Sequence, residues 1–145
     1  MNLSVIDPPG ALAGAPRNVR LLNPGNVERT SIAWQGMSSL QDDARFIRFV
    51  APQWGFRCMA RILKGDYREG SVTVHALIDR WAPPVENDTS AYVTDVANRL
   101  GVGPDETLAL PGQLLPLLKA IALHEGGCPW ADSLVQLGID LESFG

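Results

Sequence analysis

Pro52-Gln53-Trp54-Gly55-Phe56-Arg57-Cys58-Met59-Ala60-Arg61-Ile62-Leu63 is the stretch whose reading decides the fold class. Proline has a fixed φ and no amide hydrogen, which suits the first position of a helix. Phe56, Met59, Ala60 and Leu63 then recur at helical spacing and make one apolar face. Gly55 weakens the start slightly, and Gly65 or Gly70 ends the helix. Cys58 lies inside it beside Met59, where a thiol reads as core rather than as a nucleophile.

The same reasoning carries toward the C-terminus. Thr73 caps a second helix with Val74, Leu77, Ile78 and Trp81 inward, and Ala82-Pro83-Pro84 stops it. Asp88 or Thr89 caps a third, with Tyr92, Val93, Val96, Ala97 and Leu100 as its stripe and Gly101 just past its end. A fourth runs from about Gln113 to His124, with Pro116 confined to its first turn because it would break the interior. Pro129 to Leu137 makes a short fifth, ended by Gly138. Toward the N-terminus the pattern fades. Residues 17–51 are irregular, and Asn23-Pro24-Gly25-Asn26 has the residues of a tight turn. Arg45 to Val50 alternates like a short strand. Pro, Gly and Ala dominate residues 1–16, which read as an extended arm. The expected fold is mainly α: about five short helices in one globular domain over 17–145, with an irregular N-terminal third and the arm in front.

Composition sets the outer limits. The chain has 145 residues, 46% apolar and 19% charged, and a mean hydropathy near zero, which suits a globular chain and not a disordered one. No apolar run approaches the roughly 20 residues a membrane span needs. The first residues lack the basic and apolar regions of a secretory signal. Cys58 and Cys128 are too few for a disulfide framework. Charge is split: residues 1–80 carry ten of the twelve bases and balance at +3, whereas residues 81–145 balance at −7. Such polarity suits packing between copies or an anionic partner, and equally an ordinary solvated surface. An overall pI near 5 and the lack of an aromatic-interleaved basic run argue against nucleic acid.

Three polar clusters stand apart from the apolar stripes: Asn23 to Glu28 with Trp34-Gln35-Gly36, Trp81 to Thr89, and His124-Glu125-Gly126-Gly127. Turns and helix ends are where scaffolds display functional groups. Each cluster also has a plain reading: a good turn, a core tryptophan with helix caps, and a last solvated turn. No nucleophile elbow, phosphate loop or dinucleotide fingerprint is present. His75 and His124, the two histidines, have no metal-ligand partner at helical spacing, so neither a metal nor a cofactor is expected. What remains is carboxylate chemistry. A glycosidase needs a carboxylic acid of raised pKa and a second carboxylate. Glu28, Glu86 and Glu125 are the candidates. Glu86 leads, because its loop between Trp81 and Tyr92 is otherwise apolar. Asn23, Asn26 and Asn87 are candidate partners for sugar amides, and Trp34, Trp81 and Tyr92 candidate stacking platforms.

At these same residues the chain resembles a family of small proteins encoded in tailed-phage and prophage genomes and described as virion structural proteins. The family's turn, Trp-x-Gly, aromatic segment and helix correspond here to Asn23-Pro24-Gly25-Asn26, Trp34-Gln35-Gly36, Phe46 to Phe49 and Gly55 to Leu63. Trp81-Ala82-Pro83-Pro84-Val85-Glu86-Asn87-Asp88-Thr89-Ser90-Ala91-Tyr92 is the most specific match, and His124-Glu125-Gly126-Gly127 the last. Leu21-Leu22 replaces polar residues, Gly126 stands where the family has Asn, and Cys58 where it has Ala. The resemblance implies a virion component, made in the host cytoplasm and associated with the tail or with infection. Its partners would be other virion proteins and further copies of itself, with no membrane. The family's organisation also looks like small lysozyme-like muramidases, which implies the alternative of a virion-borne domain that binds or cleaves peptidoglycan.

Overall fold

The computed structural model describes residues 14–84 and 88–144, without the side chain of Phe144. Six helices form among the described residues: α1 (Arg17–Arg20), α2 (Pro52–Arg68), α3 (Val74–Trp81), α4 (Thr89–Leu100), α5 (Leu114–Glu125) and α6 (Asp132–Phe144). The mainly α expectation holds. The short α1 is additional, and the arm over 1–16 falls outside the described residues except for its last three.

Local chemistry sets most boundaries. Ala51 is extended and Pro52 begins α2. This helix passes through Gly65, around which there is open space, and ends at Arg68 before Gly70, whose φ of +109° reverses the chain. Thr73 Oγ1 accepts from Ala76 N at 3.0 Å, and Asp88 Oδ1 from Ala91 N at 3.2 Å, so α3 and α4 carry the expected caps. The Thr89 hydroxyl donates to Ala82 O at 2.6 Å and ties the α3–α4 connection shut. Gly101, at φ +71°, lets Val102 N return to Ala97 O. Pro116 sits in the first turn of α5, where no intrahelical acceptor waits for its missing hydrogen.

The last helix differs from expectation. It starts at Asp132 and continues past Gly138 to Phe144. Gly138 is a contact point rather than a terminator: a Cβ there would stand 2.6 Å from Phe56 Cβ and 2.8 Å from Gln53 O. Absence of a side chain lets α6 lie directly on α2, the most extensive helix pairing in the molecule. Lys64 Nζ and the buried Glu142 close the far end of the pair at 3.1 Å. Phe56 packs edge-on against Trp130, with centroids 5.7 Å apart. Burial of a ring such as Phe56 contributes about 2–3 kcal/mol. One apolar core runs from Val19 and Ile47 through α2 to Val135 and Ile139. Cys58 belongs to it, and burial pushes its thiol up to about 12, which removes it as a nucleophile.

The irregular third wraps around Arg45–Val50. Ile47 N donates to Val27 O and Arg29 N to Arg45 O on one side. Ser38 N donates to Arg48 O and Val50 N to Gly36 O on the other. Ile47 and Phe49 point inward, as the alternation requires. The pairing amounts to isolated antiparallel bridges, Glu28 with Phe46 and Met37 with Phe49. Asp43 pins the approach, accepting both Arg17 Nε at 2.8 Å and Nη2 at 2.6 Å and the amides of Arg45 and Phe46. Arg17's hydrogen bonds hold its carboxyl well below the usual carboxylate range.

Candidate functional site

Two buried asparagines build the site. Asn23 is fully enclosed: its Oδ1 accepts from Val27 N at 2.9 Å, and its Nδ2 donates to Val27 O at 3.0 Å and Ile47 O at 2.8 Å. Every polar atom of that side chain is engaged in shaping the turn. Asn18 is equally buried and reaches farther. Its Nδ2 lies 3.0 Å from Pro24 O, 3.2 Å from Ala122 O and 2.9 Å from Gly127 O, joining the turn to the C-terminal end of α5. Space there is tight. A Cβ on Gly126 would stand 2.7 Å from Asn18 Oδ1, so this chain's glycine fits where a side chain would collide. Gly25 and Gly55 show the same economy, the first against Trp81 and Met59, the second against Pro24.

This scaffold brings Asn26 to Glu125. Asn26, at φ +49°, donates from Nδ2 to Glu125 Oε1 at 2.8 Å. The Tyr92 hydroxyl donates to Glu125 Oε2 at 2.6 Å. Behind them Tyr92 stacks on His124, with centroids 3.8 Å apart, and His124 Nδ1 meets Asp95 Oδ2 at 2.7 Å. Burial first, then the neighbouring Glu125 charge, drives the Tyr92 phenol far up, so it stays a neutral hydroxyl. The His124 hydrogen bond holds Asp95 below the ordinary carboxylate range. Asn26 Oδ1 is buried and has no donor among the described residues.

A cleft of about 390 Å³ opens beside Glu125, within the range of small-ligand sites. Asn26, Glu28, Arg45 and Phe46 line it from the N-terminal segment, and Arg80 and Trp81 from the end of α3. Glu28 is half exposed and paired with Arg45. Arg80 pairs with Asp66 at 3.1 Å and Glu69 at 2.9 Å. The Arg17 and Arg45 guanidinium groups each stand over the Phe46 ring, 4.4 and 5.0 Å from its centroid.

The candidates therefore separate by position. Asn26, Glu28, Trp81 and Glu125 meet at one cleft. Tyr92 is buried and reaches it through Glu125. Asn23 organises the turn beneath. Trp34 packs against the core outside the cleft lining. Glu86 and Asn87 lie outside the described residues. Arg45, Phe46 and Arg80 line the cleft without having been read as site residues from sequence: Arg45 and Phe46 belong to a strand-like alternation, and Arg80, in the last turn of a helix, reads as a solvated charge. His75 does have a carboxylate one turn on, Asp79 at 3.4 Å, as well as Asp105 at 2.9 Å. No group of three metal-binding side chains forms among the described residues.

No protein-family model matches the chain. Protein P5 of Pseudoalteromonas phage PM2 is 30% identical to it over 141 residues, an alignment that covers 94% of this chain and 88% of P5. That alignment takes in nearly the whole chain, and the chain therefore belongs to the phage protein family of P5.

Proposed function

We propose that this protein is carried in the phage particle and that its cleft binds and cleaves the glycan strand of peptidoglycan. The observation that carries the reading is convergence: Asn26, Glu28, Trp81 and Glu125 come from distant segments and line one cleft. Each supplies something a glycan site needs. Trp81 offers an aromatic face to a pyranose ring. Asn26 fixes the Glu125 carboxyl in the cleft wall through its Nδ2. Glu125 and Glu28 supply two carboxyl groups.

Glu125 is assigned the acid and Glu28 the base. As the acid, Glu125 gives its proton to the glycosidic oxygen while the bond to the anomeric carbon breaks. Glu28, at the solvent rim, takes a proton from the water whose oxygen adds to that carbon. Tyr92 suits the change of charge at Glu125, because a hydroxyl can donate to the carboxylate and accept from the acid.

Kinship with a phage protein supports the virion location, with other virion proteins and further copies of the chain as partners. Two experiments test the proposal. Zymography on purified cell wall should show clearing by the wild type and none by Glu125→Gln. Clearing that survives Glu125→Gln, Glu28→Gln and Glu86→Gln alike removes the carboxylate mechanism. Mass spectrometry of gradient-purified particles should find the chain at fixed stoichiometry, and its absence removes the virion location.

A further inference from the structure

We infer that copies of this chain join head to tail, a basic stripe on α2 of one copy seating in the acidic hollow beside α3 and α4 of the next. The inference goes beyond the glycan reading and needs no part of it. It starts from the charge left over once the chain's own ion pairs are counted. Each described acid from Glu28 to Glu69 is paired with an arginine. Arg20 and Arg29 donate to backbone carbonyls. The bases left without a partner among the described residues are Arg57, Arg61 and Arg68, all on α2.

With Lys64 these three stand at i, i+4, i+7 and i+11, within about 60° of one another around the helix. Arg61 and Arg68 are exposed. Arg57 is only 6% exposed, at the crossing with α6, where its amide would lie 3.1 Å from a Cβ on Gly138. Its enclosed Nε has no acceptor. A buried guanidinium is costly without an anion, and Glu142, the acid that α6 brings to this stripe, is held by Lys64 at 3.1 Å. The stripe therefore keeps a surplus of three positive charges.

The chain also carries the complement. A hollow of about 670 Å³ has Asp79, Asp88 and Asp105 on its wall and no lysine or arginine. All three acids are exposed. Their one basic contact is His75, 2.9 Å from Asp105 and 3.4 Å from Asp79. Three carboxylates thus answer three guanidinium groups, and a ridge of helix side chains answers a hollow. No ion pair joins the two surfaces within one chain, so they are free to pair between copies. Because the surfaces differ, the contact is heterologous, and repeated it closes a ring or grows a filament.

Sedimentation velocity on the full chain tests this, from about 1 to 300 μM, the range of micromolar to millimolar contacts. The wild type should rise above monomer mass with concentration, and about 0.5 M salt should reverse the rise. Arg61→Glu/Arg68→Glu and Asp79→Lys/Asp105→Lys each place like charges face to face, which should weaken self-association by roughly a hundredfold. Each variant keeps one working surface. Mixed in equal amounts they should form a dimer and nothing larger, which also shows that both are folded. Circular dichroism checks the fold of each variant alone. A wild type that stays monomeric, variants that assemble like the wild type, or a mixture of folded variants that stays monomeric overturns the inference. A monomeric wild type that uses Arg61 and Arg68 to bind a DNA duplex or phosphatidylglycerol vesicles overturns it in favour of another anion. A monomeric wild type that still clears cell wall overturns this inference and leaves the glycan reading standing.

Discussion

Glu125 receives one hydrogen bond at each oxygen, and each donor is itself held in place, Asn26 by the turn and Tyr92 by its stack on His124. Tyr92→Phe removes only the hydroxyl and leaves the ring stack. The expected result is a stability loss of about 1–2 kcal/mol and a fall in kcat of about tenfold with KM nearly unchanged. An unchanged kcat would contradict the role given to Tyr92. At this scale the sequence was partly legible. Asn26, Trp81 and Glu125 announce themselves because turn residues and helix ends carry polar groups for local reasons. Asn18 does not: it sits in a four-residue helix, and its acceptors at Ala122 and Gly127 lie more than a hundred residues away. No local pattern encodes a partner at that separation. Arg45 and Arg80 stayed hidden for a related reason, since whether a surface arginine faces water or a cleft depends on the other wall.

The helix boundaries that depend on chemistry within four residues, at Thr73, Asp88, Gly101 and Pro116, were legible for that reason. Gly138 was misread because a glycine that ends a helix and one that lets two helices touch are the same letter. Gly138→Val inserts a branched side chain where even a Cβ would meet Phe56 at 2.6 Å, and should cost about 2–4 kcal/mol in urea denaturation. A loss below about 0.5 kcal/mol would mean that the helices do not cross there. The strand-like alternation of Arg45–Val50 was right about which side chains point inward but silent about Asp43, which anchors the segment. Asp43 titrates below its ordinary value in the folded chain, so its contribution is complete above the unfolded carboxylate value, near 4, and is lost as pH falls toward the lowered one. Stability should therefore decline between about pH 5 and pH 2, and Asp43→Asn should flatten that decline by about 2 kcal/mol. Parallel curves for the two proteins would contradict the assignment.

At the scale of the whole molecule, one core carries an N-terminal segment and a helical bundle whose meeting line is the cleft. Of the most specific segment seen in the sequence, Trp81 lines that cleft and Tyr92 reaches it through Glu125, and kinship with P5 covers nearly all of the chain. The convergence itself could not be read from sequence, because it is a property of how α3, α5 and the turn pack. The central claim is that this convergence cleaves a glycosidic bond. Mass spectrometry of the soluble fragments released from purified peptidoglycan tests it most directly. The account predicts disaccharide-peptide fragments broken between sugars with the wild type, and none above background with Glu125→Gln. Fragments cut only within the peptide, or an identical glycan-cleavage pattern from the variant, would contradict it.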